Sequence, residues 1–443
     1  MEKLLKEVKS SPITGKETLR ELLEKSFTAH YARDIKNDIL KVYLKIGEID
    51  NDVRKLLDTK LELPELVKSL SLMYADYYRL PRIKRAFELL KIAIEENYTI
   101  FLAFAGALTP ADFGASCLLP LIERGVVDVI TTTGANIYHE MQRAMGGKFY
   151  EYDVPLNHIL ESDGDAELIE EGYSRIYNII FPEVDLYRLD DFIADNVYQR
   201  LDDPFVGKTK RLVIYAFKFL AARSPEHKIL SEERILGKAT SFIKTAITST
   251  QLHKAVSEVM ELKFPRYKNW LVEAKKASIP VFCGAPQDSS LLMTFARSRL
   301  KNEAHCYFDI EQDINEMAAL QYLAQQEGKF AVIILGGGVP KNFTLQGEPY
   351  LQQILGIDVK GFDIDIQIGM ADVRDGGLSG CTASEGTTWD KVGGPFIYIK
   401  GEVLSIFPLI VYEICRENLK KIPKKLYSRI PEAMELLRKK VKK

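Results

Sequence analysis

The run Phe330-Ala331-Val332-Ile333-Ile334-Leu335-Gly336-Gly337-Gly338-Val339-Pro340-Lys341 decides the fold. Six apolar residues stopped by three glycines read as a strand buried on both faces, as in a parallel sheet. Just upstream, Asp313-Ile314-Asn315-Glu316 has the spacing of a capping box, so a helix is expected to open there and lead into the strand. The same rhythm recurs outward. Tyr98 to Phe104, Val126 to Thr131, Ile279 to Phe282 and Phe362 to Ile368 read as further strands, with a helix near Ala115 to Glu123 between the first two. Strand, loop, helix and strand in succession predict an α/β protein with a mostly parallel sheet and helices on both faces.

The flanks read differently. Ile35, Ile39, Val42, Tyr43 and Ile46 recur at helical spacing, as do Ile83, Phe87, Leu90 and Ile94, with Pro64 and Pro81 as punctuation. Residues 1–95 are therefore expected to form an N-terminal helical extension, and 96–418 the main domain. Residues 160–276, charged and mostly helical in pattern, are expected to be a large connection packed on the sheet. Ile422, Leu426, Ile430, Met434 and Leu437 recur among basic residues, so 419–443 reads as an amphipathic helix with a solvated basic face.

Composition narrows the function. The 443 residues, 46% of them hydrophobic, suffice for a large core, and a net charge of −2 gives no electrostatic case for nucleic acid. Five scattered cysteines without a C-x-x-C pair suit a reducing compartment. The histidines form no metal-ligand spacing, so no protein-bound metal is expected. No stretch approaches the roughly 20 apolar residues of a membrane span, and the charged start, Met1 to Lys6, does not lead into an apolar run. The expected location is cytoplasmic.

In a parallel sheet ligands sit beyond the carboxyl ends of the strands. Those ends carry small, glycine-bearing polar loops: Ala105-Gly106-Ala107-Leu108, Thr132-Thr133-Gly134-Ala135-Asn136, Cys283-Gly284-Ala285-Pro286-Gln287-Asp288 and Gly336 to Asn342. Glycine lets a backbone approach a ligand closely, so the set suits a nucleotide-like ligand. Lys341 occupies the sixth place of the glycine motif, so the usual dinucleotide fingerprint is absent. The fifth loop, Ser379-Gly380-Cys381-Thr382-Ala383-Ser384-Glu385-Gly386-Thr387-Thr388-Trp389-Asp390-Lys391, ends in a lysine beside one of two tryptophans. Burial depresses a lysine's pKa by penalising its charged form, and a carboxylate nearby can carry the proton, so Glu385, Trp389 and Lys391 suit an amine nucleophile; a surface loop with a solvated lysine is the alternative.

Together these loops resemble deoxyhypusine synthase. The carrying residues are Val127 to Asn136, Gly172-Tyr173-Ser174-Arg175-Ile176-Tyr177-Asn178, Ile334 to Lys341, Asp375-Gly376-Gly377-Leu378-Ser379-Gly380, Glu385 to Lys391 and Phe407-Pro408-Leu409, in order over residues 100 to 415. The resemblance implies a Rossmann-like sheet, NAD as cofactor, a polyamine donor such as spermidine, and a homotetramer with active sites at subunit interfaces. It implies aminoalkyl transfer through a lysine imine, with NAD removing and returning one hydride. By the same resemblance Lys391 is the imine-forming lysine, Trp389 its aromatic neighbour and Glu385 a polyamine contact or proton shuttle. Gly106, Ala107, Thr132, Thr133, His139, Asp288, Gly337 and Glu402 form the cofactor shell, and Asn342, Gly376, Gly377 and Ser379 the substrate site. Two of these have structural alternatives: Asp288 as the cap of a helix starting at Ser289, and His139 as a satisfied core histidine.

Three positions depart from synthases that modify a translation-factor lysine. Met293 and Leu378 stand where those enzymes place aspartates, and Asn342 where they place a histidine. Because each cation of a buried polyamine needs a carboxylate, the expectation is retained transfer chemistry with a changed donor, acceptor or both. A homospermidine-type synthase with a diamine acceptor is the alternative enzyme, and a non-catalytic NAD-binding subunit is the alternative outside catalysis.

Overall fold

The structure is a computed structural model that describes Pro12, Thr14 and residues 80–152, 165–201, 245–301 and 306–442. The helical recurrences at Ile35 to Ile46, and Pro64, lie outside the described residues. Helix α1 is Leu80–Glu95, and Ile83, Phe87, Leu90 and Ile94 form its buried stripe as their spacing predicts. Strand β1 is Thr99–Phe104 and β2 is Val129–Thr132. Between them a π-helical turn, Gly114–Leu118, runs into a short helix, Leu119–Glu123. After β2 comes α2, Gly134–Ala144.

The next segment departs from its predicted helical character. Tyr150–Glu151 (β3), Tyr173–Ile176 (β4) and Ile179–Pro182 (β5) make a small antiparallel sheet in the order β3-β5-β4. Strands β4 and β5 form a hairpin turning at Tyr177, whose φ of 56° is left-handed. Thr245–Ile247 (β6) then precedes α3, Ser249–Lys263, so 160–276 carries strands as well as helices. Val281–Cys283 (β7) and α4, Ser290–Leu300, are followed by Cys306–Phe308 (β8), which pairs in parallel with β6.

Helix α5, Ile310–Glu327, opens three residues before the expected capping box, with the Asp309 carboxylate accepting from Gln312 N at 2.9 Å. Asp313, in its first turn, and Glu316, in its second, are instead buried and reach across space. The Asp313 carboxylate accepts from Ser249 N at 3.0 Å, and Thr250 Oγ1 donates to Glu316, so both acids serve the start of α3. Strand β9, Phe330–Leu335, has the predicted bounds. It leads through α6, Gly338–Leu345, to β10, Ile364–Gly369, then α7, Ala383–Thr387, and β11, Phe396–Lys400, an edge strand that the sequence pattern did not reveal. Helices α8, Val403–Arg416, and α9, Leu426–Val441, close the described chain. Ile422, read as part of the terminal amphipathic stripe, lies before α9 and is exposed; Leu426, Met434 and Leu437 are buried.

The main sheet has six parallel strands in the order β11-β10-β9-β1-β2-β7. Numbered along the chain, that is the doubly wound order 3-2-1-4-5-6 of a Rossmann-like sheet, read from β7. Ile100, Leu102 and Phe104 face one apolar layer, which includes α1 and α8; Phe101 and Ala103 face the other, which includes α5 and α9. Burial on both faces explains the unbroken apolar runs of β1 and β9. Asp128, just before β2, ties the C-terminal segment to the sheet: it accepts from Ile100 N at 2.8 Å, Lys424 N at 3.1 Å and Lys421 Nζ at 2.5 Å.

Candidate active site

Adjacent strands β1 and β9 mark the switch point of the sheet, because the chain proceeds from β1 toward β7 on one side and from β9 toward β11 on the other. Their loops diverge there and open a crevice at the carboxyl edge. On one side Asn136, fully buried, knits the loops after β1 and β2. Its Oδ1 accepts from Leu108 N at 2.7 Å, and its Nδ2 donates to Gly106 O and Thr132 Oγ1 at 3.1 Å each. Thr133 Oγ1 donates to Gly106 O at 2.6 Å, and Ala107 N donates to Tyr177 OH at 3.2 Å. Gly106 has a φ of 72°, and a Cβ there would stand 2.9 Å from the Tyr177 hydroxyl. Gly106, Ala107, Thr132 and Thr133 thus form one ordered rim, organised by Asn136 and Tyr177, whose part had no local sequence signal.

On the other side Gly337 packs against the fifth loop: a Cβ at Gly337 would fall 2.6 Å from Ser379 Cα. Ser379 Oγ accepts from Gly338 N at 3.1 Å. Lys341, 3% exposed, points back under the same loop and donates to Leu378 O at 3.1 Å and to Cys381 O. Burial pushes its ammonium below the usual lysine range, and Asp365, buried beneath on β10, counters that shift. Burial in turn pushes the Asp365 carboxyl up to about 7.

A cavity of about 870 Å³ opens beside this junction. Lys391, Glu385, Trp389, Asn342, Gly376 and Gly377 all line it, as do Lys341, Leu378 and Cys381. Lys391 is fixed through its backbone, its N–H donating to Gly386 O and its carbonyl accepting from Phe362 N, both at 3.0 Å. Its Nζ stands 5.5 Å from the centroid of the Trp389 ring. Trp389 is 52% exposed and Lys391 only half-buried, so the enclosure expected of this amine is incomplete in this chain. The reason is position: the α7 loop forms the mouth of the cavity.

The remaining predicted residues lie apart. His139 and Asp288 line a smaller cavity of about 250 Å³ with Tyr138, Gln287 and Met293. His139 is buried against Phe149 and Phe181, its Nδ1 lies 2.8 Å from Gln142 Oε1, and burial pushes its imidazole down to about 4. Asp288 does not cap α4, whose N-cap is Ser289 without a side-chain bond. Glu402 caps α8, accepting from Leu404 N at 2.9 Å and Ser405 N at 2.7 Å. Of the three departures from the synthase pattern, Asn342 and Leu378 line the Lys391 cavity and Met293 the smaller one.

Strand order and crevice define the class: a doubly wound α/β protein with a lysine-bearing cavity at its switch-point edge. Comparison gives the family. Residues 70–414 match the deoxyhypusine synthase family, and the chain belongs to it. It is 30% identical over 389 residues to the deoxyhypusine synthase-like protein of Nostoc sp., covering 86% of this chain and 88% of that one. It is 33% identical to its counterpart in Nostoc punctiforme, over 72% of this chain and 71% of that one. A Methanosarcina acetivorans protein named "Probable deoxyhypusine synthase 2" is 29% identical over 67% of this chain and 70% of its own length. The family is one of transferases. No helix among the described residues is long and apolar enough to cross a membrane.

Proposed function

We propose that this chain is an NAD-dependent aminoalkyl transferase that moves an aminobutyl-type group from a polyamine, through an imine on Lys391, to an acceptor amine. One observation carries the reading: Lys391, Glu385 and Trp389 converge with Asn342, Gly376 and Gly377 on one cavity at the sheet's carboxyl edge. Trp389 offers an aromatic face to an alkylammonium chain, and Glu385 and Asp375 offer carboxylates to its cations. The Lys341 ammonium is engaged by the loop carbonyls of Leu378 and Cys381.

The backbone of the strand-end loops supports NAD as the cofactor. Gly106, Gly336 and Gly338 adopt positive φ at the switch point, and Gly337 has no room for a side chain. Gly106, Ala107, Thr132, Thr133 and Gly337 would hold the cofactor, with His139 and Asp288 lining the smaller cavity and Glu402 acting through the helix that it caps. When bound, NAD supplies acceptance and return of a hydride. The exposed apolar surface around the cavity mouth, Trp389, Leu378, Val373 and Ile354, supports closure of the site by a second subunit of a homotetramer.

Leu378, Asn342 and Met293 leave the site with fewer counter-charges than a triamine demands, so the donor or acceptor differs from spermidine and a translation-factor lysine. The test is a panel of di- and polyamines with NAD, scored by mass spectrometry for alkyl transfer to putrescine, to other small amines and to a translation-factor lysine. Transfer to a small amine, or from a donor other than spermidine, supports the reading. Efficient aminobutyl transfer from spermidine to the protein lysine contradicts the altered specificity, and no transfer from any amine contradicts the activity.

A further inference from the structure

Tyr177 sits at the turn of the β4–β5 hairpin with a left-handed φ of 56°, and it is 56% exposed. A bulky aromatic residue in that region is a backbone outlier, and burial of so exposed a ring does not repay the strain. The turn is nonetheless pinned, because the Arg175 guanidinium donates to Tyr177 O at 2.5 Å and to the Asp165 carboxylate at 2.8 Å. What the conformation achieves is placement of the phenol. Its hydroxyl accepts from Ala107 N at 3.2 Å and lies 2.9 Å from where a Cβ on Gly106 would stand, at the carboxyl end of β1 beside the switch point. A phenol accepts and also donates. Ala107 uses the accepting side, and among the described residues no group takes the proton. Thr133 cannot supply a donor to the same rim, since its Oγ1 proton goes to Gly106 O.

We propose that Tyr177 is a cofactor-binding residue, whose hydroxyl, set in place by the Ala107 amide, donates its proton to an oxygen of the dinucleotide held at the Gly106–Ala107 turn. Linked hydrogen bonds polarise one another, so the bond accepted from Ala107 makes the phenol the better donor. The strain at the hairpin turn then has a use, because it aims the one polar group of an exposed ring at the glycine rim. The assignment rests on NAD as the ligand of that crevice. It deepens that reading by giving the small β3-β5-β4 sheet a part in binding: the hairpin carries a donor to the edge of the main sheet.

The test is calorimetric titration of the full-length protein with NAD, with no amine present. Tyr177→Phe deletes the hydroxyl and keeps the ring, and should weaken binding about fivefold to tenfold, the worth of one hydrogen bond. Tyr177→Gly relaxes the left-handed turn, so it should unfold at a midpoint no lower than wild type and still lose at least that affinity. Incorporating 3-fluorotyrosine in place of Tyr177 separates contact from support. Fluorine makes the phenol a better donor and a poorer acceptor, so at a pH where it stays protonated NAD should bind more tightly than to wild type. Unchanged or weaker binding to the fluorinated protein overturns the proposal, as does a lower unfolding midpoint in Tyr177→Gly, which would make the tyrosine a stabilising residue. A wild-type protein that binds no NAD overturns the cofactor reading and this assignment with it, whereas equal affinity in wild type and folded Tyr177→Phe overturns this assignment alone.

Discussion

The buried ammonium of Lys341 donates to the Leu378 carbonyl across 3.1 Å, and so holds the loop that ends in Lys391 against the carboxyl edge of the sheet. The lysine of the glycine-rich turn and the lysine of the cavity are thereby coupled: one fixes the backbone that presents the other. Replacing Lys341 with Met keeps the length of the side chain and deletes both bonds to the loop. Displacements of about 1 Å at a reacting group cost on the order of 100-fold in rate, and a loss of that size is expected here. Hydrogen exchange at residues 377–382 should quicken in parallel, whereas protection of β1 and β9 should not change.

Gly337 tests the same junction from the other side. Gly337→Ala puts a methyl group 2.6 Å from Ser379 Cα, and backbone on that side cannot yield as a flexible side chain can. Overpacking of this kind costs about 1–3 kcal/mol. The expected result is a lower midpoint of chemical unfolding together with loss of adduct formation on Lys391.

Far from the cavity, the Asp128–Lys421 contact fastens the C-terminal segment across the sheet. Both side chains are buried, so removing one leaves the other charge uncompensated, at a cost of about 3–5 kcal/mol. Asp128→Ala and Lys421→Met should each lower the unfolding midpoint. The double replacement Asp128→Leu with Lys421→Met should recover part of the loss, because no lone charge then remains buried.

Burial also gives stability a pH dependence. Glu140 is wholly buried near Asp112, and its carboxyl is pushed up to about 8. Between its unfolded value near 4.5 and its folded value, the native chain therefore keeps a proton that the unfolded chain sheds. By linkage this contribution to stability is full below about pH 4.5 and is lost as pH rises through about 8. Unfolding followed from pH 6 to pH 9 should show a shallower fall in stability for Glu140→Gln than for wild type.

How much of this was legible in the sequence varied with the range of the interactions. Phe330–Leu335 was read to the residue because burial on both faces leaves an unbroken apolar run. Phe396–Lys400 was missed because an edge strand, exposed at Phe396 and Lys400, lacks that run. Asp313 and Glu316 have a capping box's local spacing, yet they serve the start of another helix, a distinction that only tertiary contact makes. The same limit divides the site. Glu385, Trp389 and Lys391 are close in sequence and their grouping could be read directly. Lys341 and Asn136 stood in the quoted loops, but what they do, bridging loops remote in the chain from buried positions, only the fold shows.

The most direct measurement is borohydride reduction of the protein after incubation with NAD and the amine panel, followed by peptide mass spectrometry. The account predicts an alkylamine retained on the peptide that contains Lys391, dependent on NAD and absent from Lys391→Ala. Reduction that leaves Lys391 unmodified with every amine, or that labels another lysine equally in Lys391→Ala, would contradict it.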